Sequence, residues 1–328
     1  MKLLILLYHR FELWQVPAWF VEKLHQEFPA LEVSRRNTYD DVAQFLQGAE
    51  IVFTLSLRPD QFKAAPRLKW IHCPAAAVHQ LIYPELVNSD VVLTNGSQIH
   101  GPVVAEHVIA LILALSKDLH LAARFQQRHV WGQEEIWNAR PRPREVAGAT
   151  LGLVGLGSIG RDVAKHASAL GMKVIATRHD PAKPIPEGVS EVLPADQINS
   201  LLARSDYIVL AAPVTAGTER LINRERLLQM KPDACLINVG RGQLVDEAAL
   251  ADALRERRIG GAALDVFEQE PLPKDSPLWD LDNVLITPHT GGLSAKLWER
   301  QYDLFSENLR RYLAGRSLLA VVDKQRGY

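Results

Sequence analysis

The sequence predicts an α/β fold with two domains, each built on a parallel sheet. Short apolar runs alternate with amphipathic segments over the first hundred residues, and a second series of the same kind follows the proline- and arginine-rich stretch Arg140–Arg144. The chain has 328 residues, enough for about two domains of ordinary size. We therefore expect two sheets with helices packed on their faces.

In the first series, apolar runs of four or five residues are the predicted strands and amphipathic segments are the predicted helices. The predicted strands are Leu3–Leu7, Ile51–Leu55, Leu68–His72 and Val91–Thr94, and the predicted helices include Ala18–Glu27 and Asp40–Gln47. The start of the chain, Met1–Tyr8, is apolar but short and has no small-residue cleavage site. A buried first strand explains it better than a signal peptide.

The second series contains six predicted strands, the number in a doubly wound sheet. They are Thr150–Val154, Lys173–Thr177, Tyr207–Ala211, Ala234–Asn238, Gly261–Asp265 and Val284–Thr287. An amphipathic helix, Lys296–Leu313, comes after the sixth strand. We expect it to complete a discontinuous first domain, made of residues 1–100 and 290–328, around a second domain of residues 101–289.

Composition and charge narrow the possible partners. Lysine and arginine together number 37 against 38 acidic residues, which argues against a nucleic-acid or anionic-membrane surface. The longest apolar helical stretch, Val103–Leu115, falls short of the ~20 residues that span a bilayer. Two cysteines are too few for a disulfide framework or a metal site. We expect a protein of the reducing cytoplasm that binds small molecules and no metal.

A glycine-rich turn follows the first strand of the second series. Gly155 permits a tight turn, Gly157 lets the backbone approach a pyrophosphate, and Gly160 allows the following helix to pack closely. Ser158 and Ile159 belong to the same turn, and the helix that follows, Arg161–Leu170, has N-terminal N–H groups that suit phosphates. A glycine turn without a ligand is the alternative, and the strand before it and the helix after it make a dinucleotide site the better prediction.

The end of the next strand bears on which dinucleotide is bound. An NAD site presents an acidic residue there to the ribose hydroxyls, whereas this chain has Thr177 and Arg178. An arginine pairs with a 2′-phosphate. The position thus favours NADP(H), with NAD(H) possible if Arg178 is only a surface charge and Asp180 binds the ribose.

Three charged residues follow strands of the second series, so their side chains can meet at the carboxyl edge of the sheet. Arg241 stands between two glycines and can hold a carboxylate with two parallel hydrogen bonds. His289 can pass a proton near neutral pH, and the Glu270 carboxylate can stabilise its imidazolium form. Separately each could be a surface residue, but together they suit reduction of a 2-keto acid.

These residues resemble the D-isomer-specific 2-hydroxyacid dehydrogenases. The stretches that carry the resemblance are Pro102–His107, Leu151–Gly160, Leu227–Asp246, Ala263–Leu272 and Thr287–Gly292. The resemblance implies that Arg241 binds and polarises the substrate, that His289 is the acid/base and that Glu270 pairs with it. It also implies a doubly wound Rossmann cofactor domain inserted into a flavodoxin-like substrate domain.

The same resemblance implies further binding residues. Those that would contact the cofactor are Pro213, Thr218, Val239, Asp265 and Gly291. Backbone amides of Ala76 and Ala77 would hold the substrate carboxylate, although the loop lacks the glycine and aspartate that relatives often have there. Members of the family often have an acidic residue where this chain has Arg178. In this respect the chain is similar to the glyoxylate and hydroxypyruvate reductases that use NADPH. The expected reaction turns a small 2-keto acid into the D-2-hydroxy acid.

Two alternatives remain at this stage. One is an NAD-dependent D-lactate-type or phosphoglycerate-type dehydrogenase. The other is a dinucleotide-sensing scaffold like the C-terminal-binding-protein corepressors, which resemble these enzymes down to the catalytic residues. By resemblance, the helix and arm at about residues 101–146 would form a homodimer contact, and Trp131 and Trp137 in the arm suit an interface.

Overall fold

A computed structural model describes residues 1–327. The chain divides into two compact units. Unit 1 comprises Met1–His100 together with the segment from Ser294 onward, and unit 2 comprises Gly101–Leu293. Both contain parallel sheets covered by helices, which confirms the predicted α/β class.

Unit 1 has a five-stranded sheet in which every neighbouring pair is parallel. Its strands are β1 (Lys2–Leu6), β2 (Glu32–Arg36), β3 (Ile51–Thr54), β4 (Trp70–Cys73) and β5 (Val92–Asn95). Their order is β2-β1-β3-β4-β5, the flavodoxin-like order. The sequence prediction missed β2, an edge strand whose sequence Glu-Val-Ser-Arg-Arg is mostly polar and has no apolar run.

Helices cover both faces of this sheet. They are α1 (Ala18–Glu27), α2 (Ala43–Leu46), α3 (Pro59–Lys63), α4 (Pro84–Val87) and α12 (Leu297–Leu313). On one face the aromatic rings of α12 fill the core. Phe305 lies 5.0 Å from the Phe53 ring and 5.2 Å from the Trp70 ring, and all three are fully buried. Helix α12, which comes late in the chain, thus supplies side chains to the hydrophobic core beside strands that come near the start of the chain.

The residues after α12 hold the edge of the sheet at β5. Thr94 in β5 forms an antiparallel bridge with Val321. The Lys324 ammonium then donates to the carbonyl oxygens of Leu86, Ser89 and Val91. These contacts protect part of an edge strand that would otherwise present unpaired backbone groups.

Unit 2 has a seven-stranded sheet, again with every neighbouring pair parallel. Its strands are β6 (Thr150–Val154), β7 (Lys173–Arg178), β8 (Glu191–Pro194), β9 (Tyr207–Leu210), β10 (Cys235–Asn238), β11 (Gly261–Leu264) and β12 (Val284–Ile286). The predicted count of six strands is wrong by one, because β8 was missed. It is a four-residue edge strand with one buried side chain, too little for a recognisable apolar run.

The strand order β8-β7-β6-β9-β10-β11-β12 is that of a doubly wound dinucleotide-binding sheet with one additional strand. The order reverses between β6 and β9, where a crevice for a ligand opens at the carboxyl ends of the strands. The helices are α5 (Gly101–Ser116), α6 (Leu119–Gln127), α7 (Gln133–Asn138), α8 (Ser158–Ala169), α9 (Ile198–Arg204), α10 (Arg224–Leu227) and α11 (Glu247–Arg255). Across the described residues, none of the helices is long and apolar enough to span a membrane.

Candidate active site

His289 and Glu270 form a close pair at the carboxyl edge of the unit 2 sheet. Nδ1 of His289 lies 2.7 Å from Oε2 of Glu270, and the other carboxylate oxygen accepts from the Phe267 amide at 3.1 Å. His289 has a left-handed backbone with φ of 53°, fixed by its amide donating to the Asp265 carbonyl. Because Nδ1 is engaged by Glu270, Nε2 is the ring nitrogen left to face a ligand.

Arg241 lies directly after β10, on the turn that leads into the short 3-10 helix Gly242–Leu244. The guanidinium is half-buried, and one of its N–H groups donates to the Gly240 carbonyl at 2.6 Å. Burial lowers the pKa of Arg241, and the nearby Glu270 carboxylate opposes that shift. No other donor of the guanidinium has a partner among residues 1–327, so a carboxylate can still be bound in the bidentate manner.

The turn that carries Arg241 is held by its neighbours. The Asn238 side chain donates to the Arg241 carbonyl at 2.9 Å and accepts from the Gly240 amide at 3.1 Å. A side chain at Gly242 would overlap the backbone of Phe267, which lies just before Glu270. Glycine at this position therefore lets the arginine turn and the glutamate loop pack directly against each other.

Asp265 follows β11, and its carboxylate accepts more hydrogen bonds than that of any other acid of the site. Its Oδ1 accepts from the Thr287 hydroxyl at 2.6 Å and the Thr290 amide at 2.8 Å, and its Oδ2 accepts from the Gly291 amide at 3.0 Å. His107 Nε2 lies 3.4 Å from Oδ1. Burial by itself would raise the pKa of Asp265, but these hydrogen bonds outweigh it and lower the pKa to about 2.

The glycine turn after β6 has the geometry that a dinucleotide requires. Gly155 adopts φ of 100°, and a side chain at Gly160 would overlap the Gly155 carbonyl, so both positions require glycine. At Gly157 an added Cβ would meet nothing within 4 Å. Gly157, the N-cap residue of α8, has no side chain to cap the first turn, which begins at Ser158. Open space beside Gly157 at this helix N-terminus fits a pyrophosphate group.

Comparison with known proteins identifies this architecture. The family model for the NAD binding domain of D-isomer specific 2-hydroxyacid dehydrogenases matches residues 109–291. The chain belongs to this family. As a D-2-hydroxyacid dehydrogenase it is an oxidoreductase of 2-keto and 2-hydroxy acids that binds a nicotinamide dinucleotide. The resemblance stated from the sequence is thereby confirmed.

Several relatives with similar sequences or structures carry related activities in their names. D-3-phosphoglycerate dehydrogenase of Methanocaldococcus jannaschii is 34% identical over 89% of this chain, which spans only 55% of that protein. Glyoxylate reductase of Thermofilum pendens is 37% identical over 80% of this chain and 77% of its own length. A 2-hydroxyacid dehydrogenase from Xanthobacter autotrophicus, solved with NADPH and MES, superimposes with a TM-score of 0.84 at 31% identity, covering 99% of each chain.

Within this dehydrogenase, Arg178 ends β7 and folds over the loop that follows. Its guanidinium donates to the carbonyl oxygens of Pro181, Lys183 and Pro184, while its Nε is buried with no acceptor among the described residues. The alternative ribose ligand, Asp180, accepts from the Ala182 amide at 3.1 Å and so stabilises the same loop. The arginine is thus a half-buried residue at the end of β7 that is bonded to the β7–β8 loop, and it is more than a solvated surface charge.

The other predicted cofactor residues lie in the loops after β9 and β10 and at the end of β7. The Thr218 hydroxyl donates to the Pro213 carbonyl at 2.7 Å and closes that loop on itself. Val239 follows β10 and is 7% exposed. Thr177 is buried at the end of β7. All of these residues share the carboxyl edge with the glycine turn, as a dinucleotide site of this fold requires.

The predicted substrate loop lies in unit 1, directly after β4. The amides of Ala76 and Ala77 donate to no protein acceptor within residues 1–327, and both residues are half-buried. The Ala76 carbonyl accepts from the Asn95 side chain at 2.7 Å. Amides left unpaired at the carboxyl end of a strand are available to an anion.

Two residues of the site were missed from the sequence. Asn238 ends β10 and supports the Arg241 turn, but nothing marks its side chain before the fold is known. His107 was not assigned to the site from the sequence, whereas its ring lies 3.2 Å from the Thr287 hydroxyl and contacts Asp265. Its place in the Pro102–His107 stretch, which carries the family resemblance, was the available indication.

Proposed function

We propose that this dehydrogenase uses NADPH to reduce a small 2-keto acid, glyoxylate or hydroxypyruvate, to the D-2-hydroxy acid. The observation that carries the proposal is the 2.7 Å pair of His289 and Glu270 with Arg241 close enough for Glu270 to influence its pKa. When bound, the nicotinamide dinucleotide supplies the hydride for the keto carbon. The protein supplies a proton, a carboxylate site and orientation.

The proton comes from His289. In its protonated form the ring donates through Nδ1 to Glu270 and presents Nε2–H to the substrate keto oxygen. Glu270 is itself oriented by the Phe267 amide, which leaves one carboxylate oxygen directed at the ring. In the reverse direction neutral His289 takes the proton from the hydroxyl group, so one residue serves both directions.

Arg241 holds the substrate carboxylate and draws electron density from the keto group. Its half-buried position strengthens the ion pair, because water screens the charges less there than on an open surface. A planar fork matches a carboxylate bidentately, so a lysine at this position would be a poor substitute. In unit 1, the unpaired amides of Ala76 and Ala77 can bind a carboxylate by themselves.

Arg178 supports the choice of NADPH. It occupies the strand end where an acidic residue would bind the ribose hydroxyls, and a guanidinium there attracts a 2′-phosphate. The Xanthobacter structure solved with NADPH, and the glyoxylate reductase of Thermofilum pendens, support the cofactor and the substrate class. The relative named D-3-phosphoglycerate dehydrogenase supports the phosphoglycerate-type alternative for the substrate.

Oxidation of NADPH and NADH by the purified protein tests the proposal, with glyoxylate, hydroxypyruvate, pyruvate and phenylpyruvate as substrates. We expect fast turnover with NADPH, and none for His289→Ala although that variant still binds the dinucleotide. Arg178→Ser should lower the ratio of kcat/KM for NADPH over NADH at least about tenfold, which corresponds to one lost charge-assisted bond. Lys173→Ser, at the other end of β7, is the matched control.

A preference of the wild-type protein for NADH would refute the role of Arg178 and favour the lactate-type or phosphoglycerate-type alternative. Tight dinucleotide binding without turnover of any keto acid would favour a sensing scaffold.

We further propose that unit 1 is the substrate domain, that unit 2 is the cofactor domain, and that two chains associate through α5 and the arm at about 101–146. The arm exposes apolar side chains, among them Trp131 at 89% and Trp137 at 57%. Such residues are enriched at interfaces between proteins. Light scattering at micromolar concentration should give twice the chain mass of 36.6 kDa, and a single-chain mass would reject the dimer.

A further inference from the structure

The loop after β4 has its carbonyl groups turned toward the protein. Those of Pro74, Ala75 and Ala76 accept from the Gln301 side chain, the Gly96 amide and the Asn95 side chain, respectively. The Gly96 and Asn95 bonds measure 3.0 and 2.7 Å. Since successive peptide groups have all their oxygens bonded on one side, the amides of Ala76 and Ala77 are left free for a ligand.

The support for this loop extends into the core of unit 1. The Trp70 indole donates to the Thr94 hydroxyl at 2.8 Å, and that hydroxyl lies 2.8 Å from Nδ1 of His72. Nε2 of His72 faces Oε1 of Gln301, whose amide group donates to Pro74. Burial lowers the pKa of His72 to about 4, although the contact with Gln301 opposes the shift. A neutral His72 ring fits these contacts, with Nε2 as the donor to Oε1 of Gln301.

The space around the loop leaves little freedom for another arrangement. A side chain at Gly96 would overlap the Pro74 carbonyl and lie 3.1 Å from Nε2 of Gln301. Asn95 is 5% exposed and Gln301 is 2% exposed, so neither side chain can exchange its partner for water. The direction of the loop is therefore set by two buried amide side chains, Asn95 at the end of β5 and Gln301 in α12.

We propose that Asn95 and Gln301 are positioning residues for substrate binding: by holding the carbonyls of Ala76 and Pro74 they aim the amides of Ala76 and Ala77 at the substrate carboxylate. This inference rests on the proposed function, which places a carboxylate on those amides. Neither residue touches the substrate. Their contribution is to prevent the peptide groups from rotating, which would point oxygens in place of N–H groups at an anion.

The test uses Asn95→Asp and a closely matched control, Asn308→Asp. Asn95 donates to the Ala76 carbonyl and accepts from the Ser97 amide; Asn308, 0% exposed, donates to the Leu319 carbonyl and accepts from the Leu319 amide. In each variant the carboxylate keeps the accepted bond and loses the donated one. The two substitutions thus make the same chemical change at buried sites of one unit, and only Asn95 holds the loop.

We expect Asn95→Asp to raise KM for the keto acid about tenfold while kcat changes little, since a bond to the carboxylate acts in the ground state and the transition state alike. The dissociation constant of oxalate from the NADPH-loaded enzyme should rise by the same factor. Asn308→Asp should leave KM and the dissociation constant of oxalate unchanged, even where it lowers the melting temperature as much as Asn95→Asp does. Gln301→Glu, which also loses a donor to the loop, should behave like Asn95→Asp.

Equal KM and equal oxalate affinity in Asn95→Asp and Asn308→Asp would overturn the proposal, as would loss of kcat alone. If the wild-type protein turns over none of the keto acids, the proposed function fails, and the oxalate measurement still decides whether the loop is a carboxylate site. A variant of Asn95 that does not fold leaves Gln301→Glu to give the same comparison.

Discussion

Two buried aspartates of unit 2, at opposite ends of its sheet, differ in the number of donors around them. Asp265, at the carboxyl edge, is 3% exposed and accepts from two amides and a hydroxyl, with His107 beside it. Asp118, near the amino ends of β10–β12, is 7% exposed, and its Oδ2 has no partner among the described residues. Burial is similar, but the pKa is about 2 for Asp265 and about 6 for Asp118.

For these two acids the difference in pKa follows from the local donors, because burial raises the pKa of both. Burial raises the pKa of Asp118, and the positive charge of Arg144 only partly opposes it. Asp118 lines a cavity of about 70 Å³ in which His120 and Asn283 also have buried polar atoms without partners among the described residues. The Asp265 carboxylate is satisfied bond by bond, whereas these three side chains near the amino edge keep unsatisfied polar atoms.

Asp265→Asn should have the largest effect, because an amide cannot accept from all the donors that surround this carboxylate. We expect a loss of about 2 kcal/mol in the free energy of unfolding at pH 7, and a fall in kcat/KM of roughly a hundredfold. Since the folded pKa lies below the unfolded value of 3.8, the carboxylate stabilises the protein above about pH 4, and this stability is lost as pH falls toward 2.

Denaturant unfolding of wild type and Asp265→Asn between pH 7 and pH 2 measures this effect. The free energies of unfolding of the two proteins should become equal as the pH approaches 2. A constant difference over the whole range would mean that the variant damages packing and that the charge of Asp265 contributes nothing.

Asp118→Asn should have a smaller effect of opposite sign. The folded pKa lies above the unfolded one, so the ionised group destabilises the protein above about pH 6, and the penalty disappears as pH falls toward 4. We expect a gain of about 1 kcal/mol at pH 7.5 and little change at pH 4.5. Asp41→Asn is the control, since it is exposed and has φ of 51° against 50° for Asp118. An equal gain in both variants would trace the effect to backbone conformation.

His107→Phe should have the smallest effect on stability. It removes one contact of Asp265 and leaves the Thr287 hydroxyl and the two amides in place. We expect a loss of about 0.5 kcal/mol and an acid unfolding midpoint shifted upward, with His107→Gln closer to wild type because it retains a donor. Thermal unfolding at pH 4 and pH 7 checks this, and an unchanged acid midpoint would show that His107 contributes nothing to the low pKa.

Much of the fold followed from the sequence because buried parallel strands are continuous apolar runs. The strand Thr150–Val154 and the helix Ala18–Glu27 were predicted with their observed bounds, and the other strands were within about two residues. The two missed strands, β2 and β8, lie at sheet edges. Edge strands are paired on one side and half-exposed, so their residues need no apolar pattern.

The charged groups of the site could be predicted because chemistry restricts which residues can do their work. Arg241, Glu270 and His289 each follow a strand, and the strands of a parallel sheet end at one edge. Their supports could not be predicted in this way. Asn95, Asn238 and Gln301 act through backbone groups of other segments, and a side-chain amide bonded to a distant carbonyl leaves no pattern in the sequence around it.

The discontinuity of unit 1 has a consequence for synthesis. When residue 293 has left the ribosome, every strand and helix of unit 2 is available and its core can close. Unit 1 still lacks α12, with Phe305 that packs on Phe53 and Trp70, and Gln301 that holds the loop after β4. The nascent chain therefore carries a complete dinucleotide fold while the five-stranded sheet made earlier waits for residues 294–327, and the amides of Ala76 and Ala77 are oriented last.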